Sequence, residues 1–203
     1  MELGLHRTTE IMENAFRLDV ALIHYPVVNK KQEIVGSAVT NLDLHDIARA
    51  GRTFGLGTYW VVTPYEQQQE LAASIAGHWT EGHGGTVNPD RADALSIIQI
   101  RASLDQVITE MAEQNGRTPL IVATSASKAC KKMGFQAVRK ELEKGESVLL
   151  LLGTAWGLAP EVIEQADVTL PPIKGRGTYN HLSVRSAASI CMDRLCGDRE
   201  DVG

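Results

Sequence analysis

The segment "SVLLLLGT" at residues 147–154 places a valine and four consecutive leucines directly before a glycine. An uninterrupted apolar run of this length is typical of a strand that is buried on both faces, as in parallel sheets covered by helices. Further apolar runs at 18–25, 58–63 and 119–125 alternate with helix-like segments. The sequence therefore predicts one three-layer α/β domain built on a parallel sheet.

The remaining elements are predicted from periodicity, turn residues and caps. Strands are expected at 94–100 and 168–172, and 33–40 is either a strand or an extended entry. Helices are expected at 41–55, 65–79, 103–116, 128–145 and 159–167. The segment 171–189 is expected to begin as a loop and to continue as the last helix. Asp43 is the predicted N-cap of the first helix, and the Gly-, Asn- and Pro-rich segment 80–94 is a predicted long loop.

Composition bounds the domain and excludes several classes of protein. The domain is expected at 18–197, with an N-terminal extension at 1–17 and a C-terminal tail at 198–203, and a hydrophobic content of 43% suffices for one core. A net charge of −5 argues against coating nucleic acid through bulk charge. Cys130, Cys191 and Cys196 lack metal-type spacing, which predicts reduced cytoplasmic thiols and no metal site. No apolar run approaches the roughly 20 residues of a membrane span, so no membrane partner is expected.

Three loops follow predicted strands in the C-terminal half and have the composition of a ligand site. They are "ATSA" at 123–126, "GTAWGL" at 153–158 and "PPIKGRGTYNHLS" at 171–183. Ligands of open parallel sheets bind at the carboxyl ends of strands, and small residues let the backbone approach them closely. Each loop taken singly is equally well a tight turn. "GRGTYN" lacks the third glycine of a dinucleotide fingerprint, which weakens a nucleotide-linked oxidoreductase.

The sequence "LLLLGTAWGLAPEVIEQADVTLPPIKGRGTYNHLSVRSAASICMDRL" resembles the C-terminal signature of the SPOUT, or trefoil-knot, RNA methyltransferases, and most closely a bacterial branch with "YNHLSVRSA". "DLHDIARAGRTFGL" is similar to the first motif of that family, in which an arginine, here Arg49, precedes the glycine of an "FG" pair by six residues. The resemblance covers 18–197. It implies a deep C-terminal trefoil knot, a homodimer, S-adenosylmethionine as cofactor, and tRNA or rRNA as substrate.

Carried over by position, the resemblance also implies site residues. The catalytic candidates are Arg49, which reaches across from the partner subunit in related enzymes, Tyr179 and His181. His181 is either a general base or a packed structural residue, and Trp156 is either a core residue or a lid over the cofactor. The implied cofactor residues are Ala123, Thr124, Ser125, Gly153, Thr154, Trp156, Gly157, Leu158, Ile173, Tyr179, Leu182 and Ser183.

This chain departs from the ribose methyltransferases of the superfamily at two positions. It has Ala155 in place of a glutamate and His181 in place of an asparagine, and the aspartate base of the tRNA guanine ring methyltransferases has no clear counterpart. A catalytically inactive RNA-binding or assembly protein on the same fold is therefore the alternative hypothesis. His24, His78 and His83 are interpreted as structural or solvent-exposed.

Local charge agrees with an RNA partner. Residues 128–144 hold six Lys or Arg against two Glu, and 172–185 hold three basic residues and no acid. Such basic surface beside a cofactor pocket suits a folded RNA that is read by shape and phosphates. A plain solvated face is the simpler explanation of the same charges.

Overall fold

The chain folds around a parallel sheet, as seen in a computed structural model that describes residues 16–124 and 131–198. In spatial order the sheet runs β5-β4-β1-β7-β6-β8, and all of its strand pairs are parallel. The strands β2 and β3 form a separate antiparallel pair. The strands in chain order are β1 (Arg17–Ile23), β2 (Val27–Val28), β3 (Ile34–Val35), β4 (Tyr59–Val62), β5 (Ile98–Arg101), β6 (Leu120–Thr124), β7 (Ser147–Gly153) and β8 (Val168–Leu170).

Helices cover both faces of this sheet. They are α1 (Asn41–Thr53), α2 (Glu66–Thr80), α3 (His83–Val87), α4 (Pro89–Leu95), α5 (Leu104–Asn115), α6 (Phe135–Glu143), α7 (Pro160–Glu164) and α8 (Val184–Cys196). The core on one face holds side chains of α1, α6 and α8, and the core on the other face holds side chains of α5 and α7. The predicted three-layer α/β architecture is confirmed.

The four leucines of β7 show why that run is apolar throughout. Leu150 and Leu152 pack into the core beneath α1 and α8, whereas Leu149 and Leu151 pack into the core beneath α5 and α7. All four are buried. A strand in the middle of a sheet that helices cover on both sides has no face for a polar side chain.

The structure corrects the predicted start of the first helix. Thr40, not Asp43, is the N-cap of α1, and its hydroxyl accepts a hydrogen bond of 3.2 Å from the Asp43 backbone N–H. Asp43 lies inside the first turn, where its carboxylate pairs with Arg185 at 3.0 Å. The pairing residue, Arg185, lies 142 positions further along the chain, so the sequence near α1 does not reveal this contact.

The predicted long loop at 80–94 is also wrong, because this segment contains the short helices α3 and α4. Asn88 caps α4 by accepting from the Arg91 N–H, and Pro89 occupies the first turn. Gly84 lets α3 approach α2 closely, since a Cβ added there would lie 2.8 Å from the Trp79 ring. Neither helix is long enough to show a hydrophobic period, so the sequence reveals only their turn residues.

The helix α6 begins later than the predicted range 128–145. The helix begins at Phe135, and just before it the backbone runs beside β8, where the Met133 N–H donates to Thr169 O and the Thr169 N–H donates to Lys131 O. The helix α8 packs against α1 and α6. The knot, and the domain ends expected at 17/18 and 197/198, stay predictions. Cys130 and Ser125 lie outside the described residues.

None of the helices within 16–124 and 131–198 has both the length and the apolar character needed to cross a membrane. The same residues contain no group of three or more His, Cys, Asp or Glu that could hold a metal ion.

Candidate cofactor site

The carboxyl ends of β6 and β8, together with the start of α8, enclose a cavity of about 210 Å³. Three residues of the expected cofactor site line it: Thr124, Ile173 and Leu182. The end of β6 and the loop after β8, which lie far apart in sequence, therefore meet at one place, as predicted from parallel-strand geometry. The other lining residues are Phe135, Leu170, Pro171, Pro172, Asn180, Ala187 and Cys191.

The walls of this cavity are mostly apolar. Thr124 and Asn180 are its two uncharged polar side chains, and the Thr124 hydroxyl is already engaged as a donor to Leu151 O at 2.9 Å. Cys191 is buried, and burial raises the pKa of its thiol to about 12, so the sulfur stays protonated and contributes an apolar surface. Ala123 is buried in the sheet next to Thr124.

The loop after β7 turns back on itself at Gly153. A Cβ added to Gly153 would lie 2.5 Å from Leu158 N and 2.8 Å from Gly157 C, both backbone atoms. The turn uses left-handed backbone at Ala155, with φ 51°, and at Gly157, with φ 119°. The glycine at 153 is therefore a steric requirement, and the glutamate of related enzymes is replaced by an alanine in a conformation that L residues rarely adopt.

Backbone hydrogen bonds attach this loop to β2. The Trp156 N–H donates to Val28 O, and the Val28 N–H donates to Gly157 O, each at 2.9 Å. Leu158 is buried and forms a bridge with Val27. The Trp156 side chain points outward and is 58% exposed, so its interpretation as a core residue is wrong. Its role as a lid stays a prediction.

A chain of polar side chains lies beneath the same loop. The Thr154 hydroxyl donates to Ile23 O at 3.0 Å, and its oxygen lies 2.5 Å from Ser37 Oγ. Ser37 Oγ in turn lies 3.0 Å from Nδ1 of His24. Each hydroxyl has one hydrogen, so Ser37 donates to Thr154 and the His24 Nδ1–H donates to Ser37. This relay fixes Thr154 at the end of β7.

His24 is completely buried within this relay. Its Nε2 has no hydrogen-bond partner among the described residues, and burial lowers the pKa of the ring. A neutral imidazole with the hydrogen on Nδ1 agrees with both facts, because a charged ring would place an unsatisfied Nε2–H donor in the core. His78 and His83, by contrast, are exposed, as interpreted from the sequence.

The loop from 171 to 183 differs sharply from the loop after β7. Tyr179 is 82% exposed, and His181 is also exposed, with ring centroids 6.5 Å apart. Within the described residues the side chains of Lys174, Arg176 and His181 form no hydrogen bond and no ion pair. Only Ser183, at the end of the loop, has a defined task, since its hydroxyl caps α8 by accepting from the Ser186 N–H.

Arg185 links the start of α8 to α1. Its guanidinium lies 3.0 Å from the Asp43 carboxylate and 3.3 Å from that of Asp46. The absence of acids in 172–185 is thus compensated from another part of the chain, and the free positive charge of this segment reduces to Lys174 and Arg176. The sequence alone could not reveal this pairing.

Arg49 does not join the other candidates. It lines a separate groove of about 700 Å³ between α1, α2 and α4. On α1 it lies roughly 120° around the helix axis from Asp43, which is the residue that faces α8. Within one chain, therefore, the structure brings Thr124, at the end of β6, together with Ile173 and Leu182 and leaves Arg49 apart. The candidates at 153–158 are not among the residues that line that cavity.

Asn180, Phe135 and Cys191 are cavity residues that sequence reasoning missed. Asn180 lies within the quoted "YNHLS" segment, so its place in the motif was the available signal. Phe135 and Cys191 are apolar lining residues on α6 and α8, and nothing in their sequence context separates them from ordinary core residues.

Comparison with known proteins agrees with this geometry. A family described as SAM-dependent RNA methyltransferase matches residues 17–197. A "tRNA (guanine-N(1)-)-methyltransferase" of Oleidesulfovibrio alaskensis is 44% identical over 197 residues, 97% of this chain and 46% of that protein. One of the same name from Nitratidesulfovibrio vulgaris is 47% identical over 178 residues, 88% of this chain and 41% of that protein. The chain thus spans less than half the length of these relatives.

A third relative and a solved structure complete the comparison. An uncharacterized protein of Aquifex aeolicus is 35% identical over 91% of this chain and 89% of its own length. The SpoU methyltransferase AviRb of Streptomyces viridochromogenes, solved in complex with AdoMet, shares the fold with a TM-score of 0.55 at 15% identity, covering 90% of this chain and 57% of that one. The sequence match across nearly the whole domain, together with the shared fold, shows that this chain belongs to the SAM-dependent RNA methyltransferase family.

Proposed function

We propose that this chain transfers a methyl group from S-adenosylmethionine to tRNA or rRNA, and that the cavity between β6, β8 and α8 holds the cofactor. The observation that carries the proposal is that cavity, which lies at the carboxyl ends of adjacent parallel strands, in a chain of this family. We place the activity in the cytoplasm, where Cys191 and Cys196, both free here, would stay reduced.

The residues present fit S-adenosylmethionine. Apolar walls such as Leu170, Ile173 and Leu182 suit the faces of an adenine ring, and loop amides and carbonyls suit its edge. A volume of about 210 Å³ is below the roughly 300–1,000 Å³ of most small-molecule sites, so the cofactor would extend toward the exposed loops. When bound, it supplies an electrophilic methyl group on a sulfonium, and the protein needs only to align the acceptor and receive a proton.

His181 and Tyr179 are the proposed groups on the acceptor side. Both are exposed, they lie beside each other, and they precede α8 at the rim of the cavity. An exposed imidazole without a hydrogen-bond partner among the described residues is free to take a proton from an RNA nucleophile. Their exposure argues against the packed structural role for His181.

Four basic side chains near this rim suit RNA phosphates. Lys131 and Lys132 lie on the segment that runs beside β8, and Lys174 and Arg176 lie on the loop that follows β8. None of the four pairs with a carboxylate in the described part of the chain. The basic sequence segment also contains Arg139, which pairs with Glu143, and Lys144, which pairs with Glu141. These two side chains therefore add little free positive charge for RNA.

Arg49 supports the proposed homodimer. It cannot line its own chain's cofactor cavity, because it faces a different groove. If it acts on the acceptor, it must come from a second copy, which makes a two-fold dimer with shared sites the simplest arrangement.

Calorimetry tests the cofactor site. Saturable binding of S-adenosylmethionine is expected, together with methyl incorporation into bulk unmodified RNA. Leu182→Arg should abolish both, because a charged side chain would enter an apolar wall. Leu71→Arg is the matched control, since Leu71 and Leu182 are each 43% exposed and Leu71 lies on α2 away from the cavity. Absence of binding to the unaltered protein would overturn the proposal, and RNA binding without methyl transfer would favour the inactive alternative.

Subunit mixing tests the dimer. Arg49→Ala and Leu182→Arg are each expected to be inactive, but a mixed dimer would contain one complete site. Random exchange of equal amounts would restore about one quarter of the unaltered activity. No recovery, with exchange verified by mass, would place Arg49 in its own chain's site or outside catalysis.

A further inference from the structure

The groove that contains Arg49 is built around an aromatic ring. Trp79 of α2 lies among its lining residues, and the Arg91 guanidinium carbon stands 4.6 Å from the centroid of its ring. The rings of His78 and His45 meet Trp79 edge-on, at centroid distances of 5.1 Å and 5.6 Å. One aromatic surface, two imidazoles and a stacked guanidinium thus converge in an open groove of about 700 Å³.

The helices hold this ring firmly in place. Gly84 of α3 is buried, and a Cβ at that position would lie 2.8 Å from the Trp79 ring and 2.9 Å from His78 O. The turn glycines of "EGHGG" therefore let α3 pack directly on the end of α2, and α4 then carries Arg91 over the ring. The segment 81–95 thus contributes Arg91 to the lining of the groove.

The charge in the groove is net positive, with Arg49 and Arg91 against Asp46. Asp46 is the one acidic lining residue, and its carboxylate is taken by Arg185 at 3.3 Å. Arg52, the next arginine on α1, pairs with Asp93 at 2.8 Å and does not line the groove. In the described residues Arg49 and Arg91 have no carboxylate partner. The pKa of His45 is lowered, first by burial and then by the Arg91 charge, while Asp46 acts in the opposite direction.

We propose that this groove binds an unpaired nucleotide of the RNA substrate, with the base against the Trp79 and histidine rings and a phosphate on Arg91 and Arg49. The inference rests on the proposed function, since RNA is the acceptor there, and it adds a second RNA contact outside the cofactor cavity. Unpaired bases are recognised by stacking on Trp, Tyr, Phe, His or Arg planes, and phosphates by arginine. A duplex would not present a base to the ring.

Fluorescence anisotropy with a labelled 12-nucleotide single-stranded RNA tests the groove. Trp79→Leu should weaken binding by about tenfold, the loss of one base stack. Arg91→Gln should weaken it and lower the slope of log K against log salt by about 0.7, the value for one phosphate contact on a single strand. Arg52→Gln, which removes an arginine of α1 that lies outside the groove, should change neither quantity.

Control measurements separate this inference from the proposed function. Each variant should bind S-adenosylmethionine as the unaltered protein does, and if Trp79→Leu fails that check, Arg91→Gln decides. If Arg91→Gln keeps the RNA affinity and the salt slope of the unaltered protein, the proposed RNA-binding role of the groove is wrong. The proposal of methyl transfer would not be affected by that result. Equal affinity for free AMP or for duplex RNA would overturn recognition of an unpaired strand. Groove-dependent binding without methyl incorporation would support the groove and refute the proposed enzyme. If the unaltered protein binds no RNA, the proposed RNA-binding role of the groove is wrong. The methyl-incorporation assay would then test the proposed methyltransferase activity independently.

Discussion

Two loops that the sequence predicts to bind the cofactor, 153–158 and 171–183, differ in how firmly they are held, and only the second lines the cavity at the ends of β6 and β8. The loop 153–158 is fixed by backbone hydrogen bonds to β2, by a steric turn at Gly153 and by the polar relay under Thr154. The loop 171–183 is exposed along almost its whole length, and its side chains make few contacts until Ser183 caps α8. One side of the site is thus preformed, and the other is free to adapt when ligands bind.

This difference in rigidity affects how the two loops would act in the proposed methyl transfer. A preformed wall reduces the entropy lost on binding, whereas an adaptable wall can close over the cofactor and the RNA together. Substitutions in 153–158 should therefore alter binding through a rigid backbone. Substitutions in 171–183 should act through individual side chains.

Gly153→Ala is expected to have the largest effect. The new Cβ would lie 2.5 Å from Leu158 N, a backbone atom that β2 holds in place, so the loop must shift. We expect S-adenosylmethionine affinity, measured by calorimetry, to fall by about 100-fold or more, since a displacement of this size removes aligned contacts. Gly177→Ala is the control in the other loop, where an added Cβ meets nothing within 4 Å. Equal losses in both variants would refute the contrast between the loops.

Arg185→Gln is expected to have the next largest effect, because Arg185 anchors the adaptable loop where α8 begins. It would leave the Asp43 carboxylate, whose side chain is 10% exposed, without its cation. Urea denaturation should show a loss of about 2 kcal/mol in the free energy of unfolding. Arg117→Gln breaks the more exposed pair with Glu146 and should cost less than about 0.5 kcal/mol. A loss no larger than that of the control would show that α8 does not depend on this anchor.

His24 gives the preformed side a pH dependence. Burial lowers its pKa below 6.5 in the folded state, so the unfolded chain binds the proton more readily as the pH falls. The free energy of unfolding should therefore decrease below pH 6.5, by at most about 1.4 kcal/mol per pH unit from this residue. In His24→Asn the decrease between pH 7.5 and 5.5 should be smaller by about 1 kcal/mol, while His45 titrates in both proteins. Identical pH dependence would show that His24 does not contribute.

The fold could be predicted further from sequence than the site could. β7 is apolar on both faces because both faces are covered, and this pattern is visible in the sequence itself. The pairing of Asp43 with Arg185 was not visible, because Arg185 lies 142 positions further along the chain. Helices as short as α3 show no hydrophobic periodicity, so the sequence predicts a loop at this position.

Within the site, motif position located the loop residues but not their conformations. Trp156 could equally have been a core residue on composition alone, and only the pairing of the loop with β2 shows that its ring points outward. The relay from His24 through Ser37 to Thr154 joins three segments that are each unremarkable in sequence. Contacts of this kind depend on strand order, which a single sequence does not encode locally.

Tyr179 should show the smallest effect on stability. Its ring is 82% exposed and lies 6.5 Å from the His181 ring, so Tyr179→Ala should change the free energy of unfolding by less than about 0.5 kcal/mol in urea denaturation. Thr154→Val, on the preformed side, should cost about 1–3 kcal/mol because it removes the hydroxyl that bonds to Ile23 O and to Ser37 Oγ. We expect Tyr179→Ala to lower methyl incorporation nevertheless, and Thr154→Val to lower both stability and cofactor affinity. That pair of results would indicate that the loop 171–183 acts on the RNA and the loop 153–158 acts on the cofactor. A stability loss at Tyr179 as large as that at Thr154 would mean that the loop 171–183 is already closed in the free protein.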